Sequence, residues 1–410
     1  MNNDNQHIPS GYKPSALGII PEDWEMKRLG EIGEVLMCKR IMKYQTDSCG
    51  DIPFFKIGTF GGKPDAYISK EVFNEYKTKY SYPKVGDVLI SAAGTIGRSV
   101  IFDGTPSYYQ DSNIVWIDND NKQVLNKYLY YYYSTINWIT DTGTIPRLYN
   151  GALKAIQIPT PPIEQQTRIV SILELWDTAI AKQTALIEQL TLRKRGLMQQ
   201  LLTGKKRLKG FEGEWKEVRL GDIGVFFKGG GVPKDKITDT GNKCLTYGDL
   251  YTKYDFVISG IKSYIDDDTA NESAKIQYGD ICFAGSGETK EDIGKCAAFI
   301  DDDYGYAGGD IIVFRANNCN PITLSYILNA SDAIRQKSNM GQGHSVVHIY
   351  PYQLEKLIIN LPSRTEQDAV ATILIESDKE IEIQKQKLAA LQEQKKGLMQ
   401  VLLTGKKRIK

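Results

Sequence analysis

The chain has 410 residues, 41 % of them apolar and 25 % charged, and a formal net charge of +1. That composition fits a soluble globular protein with room for two or more cores, and it leaves any nucleic-acid surface to be a local patch balanced by acidic residues elsewhere. With no apolar run of membrane-spanning length and no signal-peptide pattern at its start, a cytoplasmic setting without a membrane partner is expected.

Residues 1–20 are polar and read as a loose leader. A first body, 21–160, opens on "WEMKRLGEIGEV" from Trp24 and continues through β-rich runs such as "DVLIS" and "NIVWI", separated by Gly, Asp and Asn turns. A more helical stretch, "VLNKYLYYYYSTI", follows. Its five tyrosines from Tyr128 to Tyr133 invite a base-stacking reading, but at helical spacing beside Leu125, Leu129 and Ile136 packing in the core is favoured. Next comes a long helical segment, 161–205, entered through "IPTPPIEQQ" and left through "GLMQQLLTGKKRLK".

A second body, 206–362, repeats the plan. It opens on "WKEVRLGDIGVF" from Trp215, carries the runs "DICFA", "CAAFI" and "DIIVF", and has "ITLSYILNASDAI" as its helical counterpart. The chain then closes on a second helical segment, 363–410, ending in "GLMQVLLTGKKRIK". The two ends differ at only two of fourteen positions and are offset by 201 residues. The same offset relates "IPTPPIEQQTRIVSILELWDTAI" to "INLPSRTEQDAVATILIESDKEI".

A 4-3 spacing runs along each helix through Ile169, Leu173, Trp176, Ile180, Gln183, Ile187, Leu190, Lys194, Leu197 and Leu201, and again through Val370, Leu374, Ser377, Ile381, Gln384, Leu388, Leu391, Lys395, Leu398 and Leu402. This seam predicts coiled-coil packing over about five heptads. Thr365 is expected to cap the second helix, and Thr203-Gly204 and Thr404-Gly405 to end the two. Helix one leaves the first body for the second, so an equivalent helix two must return. The fold class expected is therefore α+β: two mixed α/β domains related by a pseudo-twofold axis and separated by two long antiparallel helices. Symmetry further places Gln183 near Gln384, and "GKKRIK" near the start of the first body.

Shared ends with divergent bodies read as a two-arm adaptor, because a surface that meets the same partner twice is held to one shape while surfaces that read different things diverge. Met198/Met399 and the Lys-Lys-Arg tails are expected to be the shared outward positions. The opening "IPEDWEMKRLGEIG", the strand-loop "GDVLISAAGTIG", "IPTPPIEQQTRIVSIL" and "GLMQQLLTGKKR" resemble the specificity subunit of type I restriction-modification systems. The resemblance covers both halves in order. It implies two target-recognition domains reading the halves of a split, asymmetric sequence in double-stranded DNA, joined by a helical spacer. It also implies two methyltransferase subunits and, in the full complex, restriction subunits as partners. The chain itself would be non-catalytic and bind no cofactor or metal, S-adenosylmethionine, ATP and Mg²⁺ being expected on the partner subunits.

Two alternatives remain open at this stage: a methyltransferase or nuclease in its own right, and a coiled-coil scaffold that does not touch DNA. The enzyme reading finds little material. "FAGSG" at Phe283 to Gly287 mimics a cofactor loop, yet it is followed by a broken turn and another strand, and no N/D-P-P-Y/F tetrapeptide is present. Pro64-Asp65 with Glu75-Tyr76-Lys77 mimics a nuclease motif without a counterpart in the second half. For DNA contact, glycine-flanked loops nominate Lys56, Lys63, Arg98 and Arg147 in the first body, and Lys228, Lys234, Lys290, Gln342 and His344 in the second. Arg147 in "TGTIPRL" and Gln342 and His344 in "MGQGHSVV" hold comparable places before the helices.

Overall fold

The computed structural model describes residues 8–138, 147–343 and 346–409, the side chain of Lys234 excepted. It divides into two units, one built from residues 1–184 and 386–410 and the other from 185–385. Each unit thus takes its own body together with stretches of both long helices.

In the first unit the sheet comprises β1 (Val35–Met37), β2 (Val88–Ser91), β3 (Ser99–Ile101) and β4 (Ile114–Ile117), in the order β1-β4-β2-β3 with every pair antiparallel. Strands β2 and β4 are buried along their whole length, as continuous apolar runs covered on both faces should be. Helix α1 (Asn126–Tyr133) packs on this sheet and buries Tyr128, Tyr131, Tyr132 and Tyr133, which settles the tyrosine run as core. Burial pushes the Tyr132 phenol up to about 12. Helix α2 (Ile163–Leu201) begins in this unit, where Ile169, Val170 and Leu173 share one core with Trp24, Tyr128, Leu402 and Leu403.

The second unit holds a five-stranded sheet of β5 (Gly224–Lys228), β6 (Val257–Ile258), β7 (Ile281–Ala284), β8 (Cys296–Phe299) and β9 (Ile311–Ala316), ordered β5-β9-β7-β8-β6. Only the β6–β8 pair is parallel. Helix α3 (Pro321–Leu328) is capped by Asn320, whose side chain accepts from the Ile322 and Thr323 amides. Helix α4 (Arg364–Leu402) starts here and places Val370, Ala371 and Leu374 in a core with Leu201, Leu202, Leu220 and Tyr326.

The sequence repeat is realised as repeated contacts. Glu25–Arg28 pairs with Gln157–Thr160, and Lys216–Arg219 with Ile358–Leu361, so each opening Trp segment is strapped to the strand that feeds its long helix. The last glycine of each R-L-G-x-I-G motif lies against a neighbouring backbone: a Cβ on Gly33 would meet Asp118 O at 2.2 Å, and one on Gly224 would meet Arg315 O at 2.4 Å. Both long helices span 39 residues. Gly204 and Gly405 follow them at φ +66° and +73°, a left-handed conformation that lets the terminal carbonyls be capped. In the first unit Arg408 pairs with Asp23 at 2.9 Å, which puts the C-terminal basic tail at the start of the first body as expected.

Every described seam position is buried or half-buried, including Ile169, Leu190 and Leu201 on α2 and Val370, Ile381 and Leu402 on α4. Gln183 is buried and Gln384 half-buried.

Three expectations are corrected. The segment read as a loose leader contains a hairpin, Tyr12–Ser15 with Gly18–Pro21, anchored by buried Ile20. Ser363, not Thr365, caps α4, its Oγ accepting from the Glu366 amide at 3.4 Å, while Thr365 lies inside the first turn. Met198 and Met399 are not outward-facing: both are half-buried against their units' cores, so packing accounts for their identity. The exposed positions common to both helix ends are instead Gln199/Gln400, Lys205/Lys406 and Lys206/Lys407.

Candidate nucleic-acid interface

Strand-connecting loops gather at one edge of the first sheet. Arg98 donates from Nη1 to Phe60 O at 2.8 Å, tying the loop after β2 to the loop that carries Lys56 and Lys63. Arg147 forms a bridge with Ala93 and donates to Asn113 Oδ1 at 3.1 Å; the Leu148 amide donates to Ala92 O at 2.8 Å. The Ile57 amide donates to Gln110 Oε1 at 2.9 Å. Lys56, Arg98 and Arg147 are thereby brought together with the turn 110–113, and Lys63 is exposed on the same loop. Lys56 is partly neutralised by Asp65 at 2.9 Å. Arg40, absent from the sequence-based nominations, joins this edge through Asp111 at 2.8 Å. Strand pairing alone brings those two together, so no local pattern could have flagged Arg40.

In the second unit Lys228 ends β5 and lines a cleft of about 860 Å³ with Gly231, Thr246, Tyr247, Gly308 and Asp310. Such a glycine-rich wall admits close approach of a ligand backbone. Gly285 donates to Asp310 O at 2.7 Å and accepts from the Ile349 amide at 3.0 Å. Ser286 pairs with His348 across two short strands, Oγ and Nδ1 standing 3.0 Å apart.

This ladder corrects the comparison of the two loops. Ala93 faces Arg147 in the first unit and Ser286 faces His348 in the second, so the counterpart of Arg147 is His348. Counting the 201-residue offset from Arg147 would have found it. Gln342 lies one bridge further out, its amide donating to His348 O at 2.9 Å. Lys290 is exposed on the turn between β7 and β8 and does not line the cleft. Lys234 begins a short 3-10 turn; His344 falls outside the described residues.

Neither imitation of an enzyme motif has enzyme geometry. Phe283 lies within β7, whose following loop returns as antiparallel β8, so the glycines are followed by a strand and not by a helix. Asp65 pairs with Lys56, Glu75 with Lys79 at 2.8 Å, and Lys77 lies over the Phe73 and Tyr82 rings. Among the described residues no cluster of His, Cys, Asp and Glu could hold a metal ion, and no helix is long and apolar enough to cross a membrane.

Against known proteins, the sequence model described as the type I restriction modification DNA specificity domain matches twice, over residues 21–192 and 212–393. A putative type I restriction enzyme specificity subunit of Haemophilus influenzae is 67 % identical over 160 residues, covering 39 % of this chain and 42 % of that protein. A putative type I specificity subunit of Methanocaldococcus jannaschii is 26 % identical, with 97 % of each chain covered. Among solved structures, the S subunit of a type I restriction-modification system from M. genitalium aligns with a TM-score of 0.56 at 15 % identity, covering 93 % of this chain and 96 % of that one. A chain from a structure of type I R-M complex assembly and conformational transition gives a TM-score of 0.58 at 16 % identity, covering 94 % and 99 %. These last two likenesses establish the fold.

Proposed function

Because the chain belongs to the family of type I restriction modification DNA specificity domains, we propose that its two units read the two halves of a split DNA target for a modification enzyme whose chemistry lies elsewhere. The family makes this a non-catalytic recognition subunit. The observation that carries the reading is the duplicated ladder: Arg147 stands opposite Ala93 in one unit as His348 stands opposite Ser286 in the other, and the Leu148 amide donates to Ala92 O as the Ile349 amide does to Gly285 O. A shared backbone ladder with different side chains is what reading two different sequences requires, since phosphate contacts set register and base-edge contacts specify.

The long helices supply the separation and the partner surface. Two matched partners, methyltransferase subunits carrying S-adenosylmethionine, would dock on the repeated helix ends. Restriction subunits would bring ATP and Mg²⁺ chemistry to the full complex. Support comes from the exposed side chains that both helix ends share, Gln199/Gln400, Lys205/Lys406 and Lys206/Lys407, which offer the same surface twice.

The test is to map methylated bases genome-wide in cells with and without this chain alongside its methyltransferase. The reading requires a split, asymmetric adenine-methylated motif that vanishes with the chain. A motif that persists without it, or one with no unread gap, refutes the reading.

A further inference from the structure

Each unit places one lysine on the seam between its two helix stretches, Lys194 buried and Lys395 half-buried, and each lysine finds the same two partners. In the first unit Lys395 of α4 meets Asp177 of α2 at 2.5 Å, and Asp177 accepts the Tyr131 hydroxyl of α1 at 2.6 Å. In the second, Lys194 of α2 meets Asp378 of α4, which accepts the Tyr326 hydroxyl of α3. The members correspond at the 201-residue offset of the helices, and the tyrosines hold matching places on the body helices. The lysines also sit over aromatic rings: Lys395 lies 5.1 Å from the Tyr131 centroid, and Lys194 lies 4.5 Å and 5.1 Å from those of Phe256 and Tyr326. Both phenols are raised, by burial first and by the adjacent carboxylate second, so each remains a donor.

Three elements meet at each node, two spacer helices and one recognition body. Apolar heptad positions tolerate a slip of seven residues where one apolar side chain replaces another; a largely desolvated lysine that loses its carboxylate does not. A heptad slip would face Lys194 with Ala371 or Lys385, and Lys395 with Val170 or Thr184. No acid waits at any of the four places.

From this geometry we infer that the two Tyr–Asp–Lys nodes are positioning residues that fix the helix register and seat each recognition body on it, and so set the length of the unread gap in the DNA target. The inference rests on the split-target reading above. A single-length gap requires each body to take one seat, and the node is the charged feature that distinguishes that seat from its neighbours a heptad away.

The experiment maps methylated motifs from cells carrying the full complex with Lys194→Met, Asp378→Asn, Tyr326→Phe or the charge swap K194D/D378K, and repeats the series at Lys395, Asp177 and Tyr131. Melting temperature is recorded for each purified complex. Expected are unchanged half-site sequences with at least a tenfold rise in sites methylated at a gap differing by one or more base pairs, and restoration of one gap by the swap. A single gap retained in all single variants, whatever their melting temperature, overturns the proposal. So does loss of methylation that the swap fails to restore, which would make the node a folding element alone. An unsubstituted chain without a split motif would overturn the underlying reading and the proposal with it, and is told apart by appearing before any substitution.

Discussion

His348 stands opposite Ser286, Nδ1 and Oγ 3.0 Å apart, at the same station that Arg147 holds opposite Ala93. One backbone ladder offers a guanidinium in one unit and an imidazole in the other. Arg147→Ala is expected to relax one position of the first half-site, and His348→Ala one position of the second, each leaving the other half-site intact. A good base contact contributes about 1–3 kcal/mol of discrimination, so the preferred base should lose about fivefold to 150-fold of its advantage. Competition binding of the complex to targets varied one base pair at a time measures this. A uniform loss across all targets, with a shallower salt dependence, would make either residue a phosphate contact instead.

The glycines that end the long helices are expected to differ in what they tolerate. Both adopt positive φ, which costs alanine about 1–2 kcal/mol. A Cβ on Gly204 would first meet Trp215 at 3.5 Å, ordinary contact, whereas one on Gly405 would lie 2.4 Å from Pro21 Cδ. Gly204→Ala should therefore destabilise by about 1–2 kcal/mol, and Gly405→Ala by about 2–4 kcal/mol once crowding is added. Thermal unfolding of the two variants decides the order.

Lys337 gives the second unit a pH signature. Its side chain is buried, donates to Gly294 O at 2.6 Å, and has its pKa lowered from 10.5, by burial foremost. Between the lowered value and 10.5 the unfolded chain binds more protons at this site than the native one, so the site's contribution to stability rises with pH across that window. Cys296 opposes it: burial pushes that thiol up to about 11, and its contribution falls as pH rises from 9. Comparing the native chain with Lys337→Met, both carrying Cys296→Ala because the two groups act on each other's titration, isolates the lysine. The native chain should gain on the variant as pH rises toward 10.5, and a constant difference in denaturant midpoint would contradict this.

Much of the architecture was legible because it is local and periodic. The seam from Ile169 to Leu201 and its copy from Val370 to Leu402 declare helix, length and buried face in one pattern, and the 201-residue offset declares the repeat. Even the nodes left a trace, as lysines at seam positions. What stayed hidden depends on chain segments far apart in sequence. Arg147 reaches Ala93 only through a bridge across the sheet edge, and Arg40 reaches Asp111 across 71 residues. The cap of α4 was misplaced by two residues because Ser363 and Thr365 offer the same hydroxyl, and only backbone geometry selects between them. Met198 and Met399 looked outward because identity between copies was attributed to a partner, where packing against each unit's core accounts for it.

Measurement of a fixed gap is the central claim, and lengthening both helices tests it most directly. Seven residues inserted into each, between 184 and 185 and between 385 and 386, keep the heptad pattern and add about 10 Å of helix. At about 3.4 Å per base pair, the account predicts methylated sites whose unread gap grows by at most about three base pairs while both half-sites stay as they were. An unchanged gap, or altered half-sites at the old spacing, would contradict it.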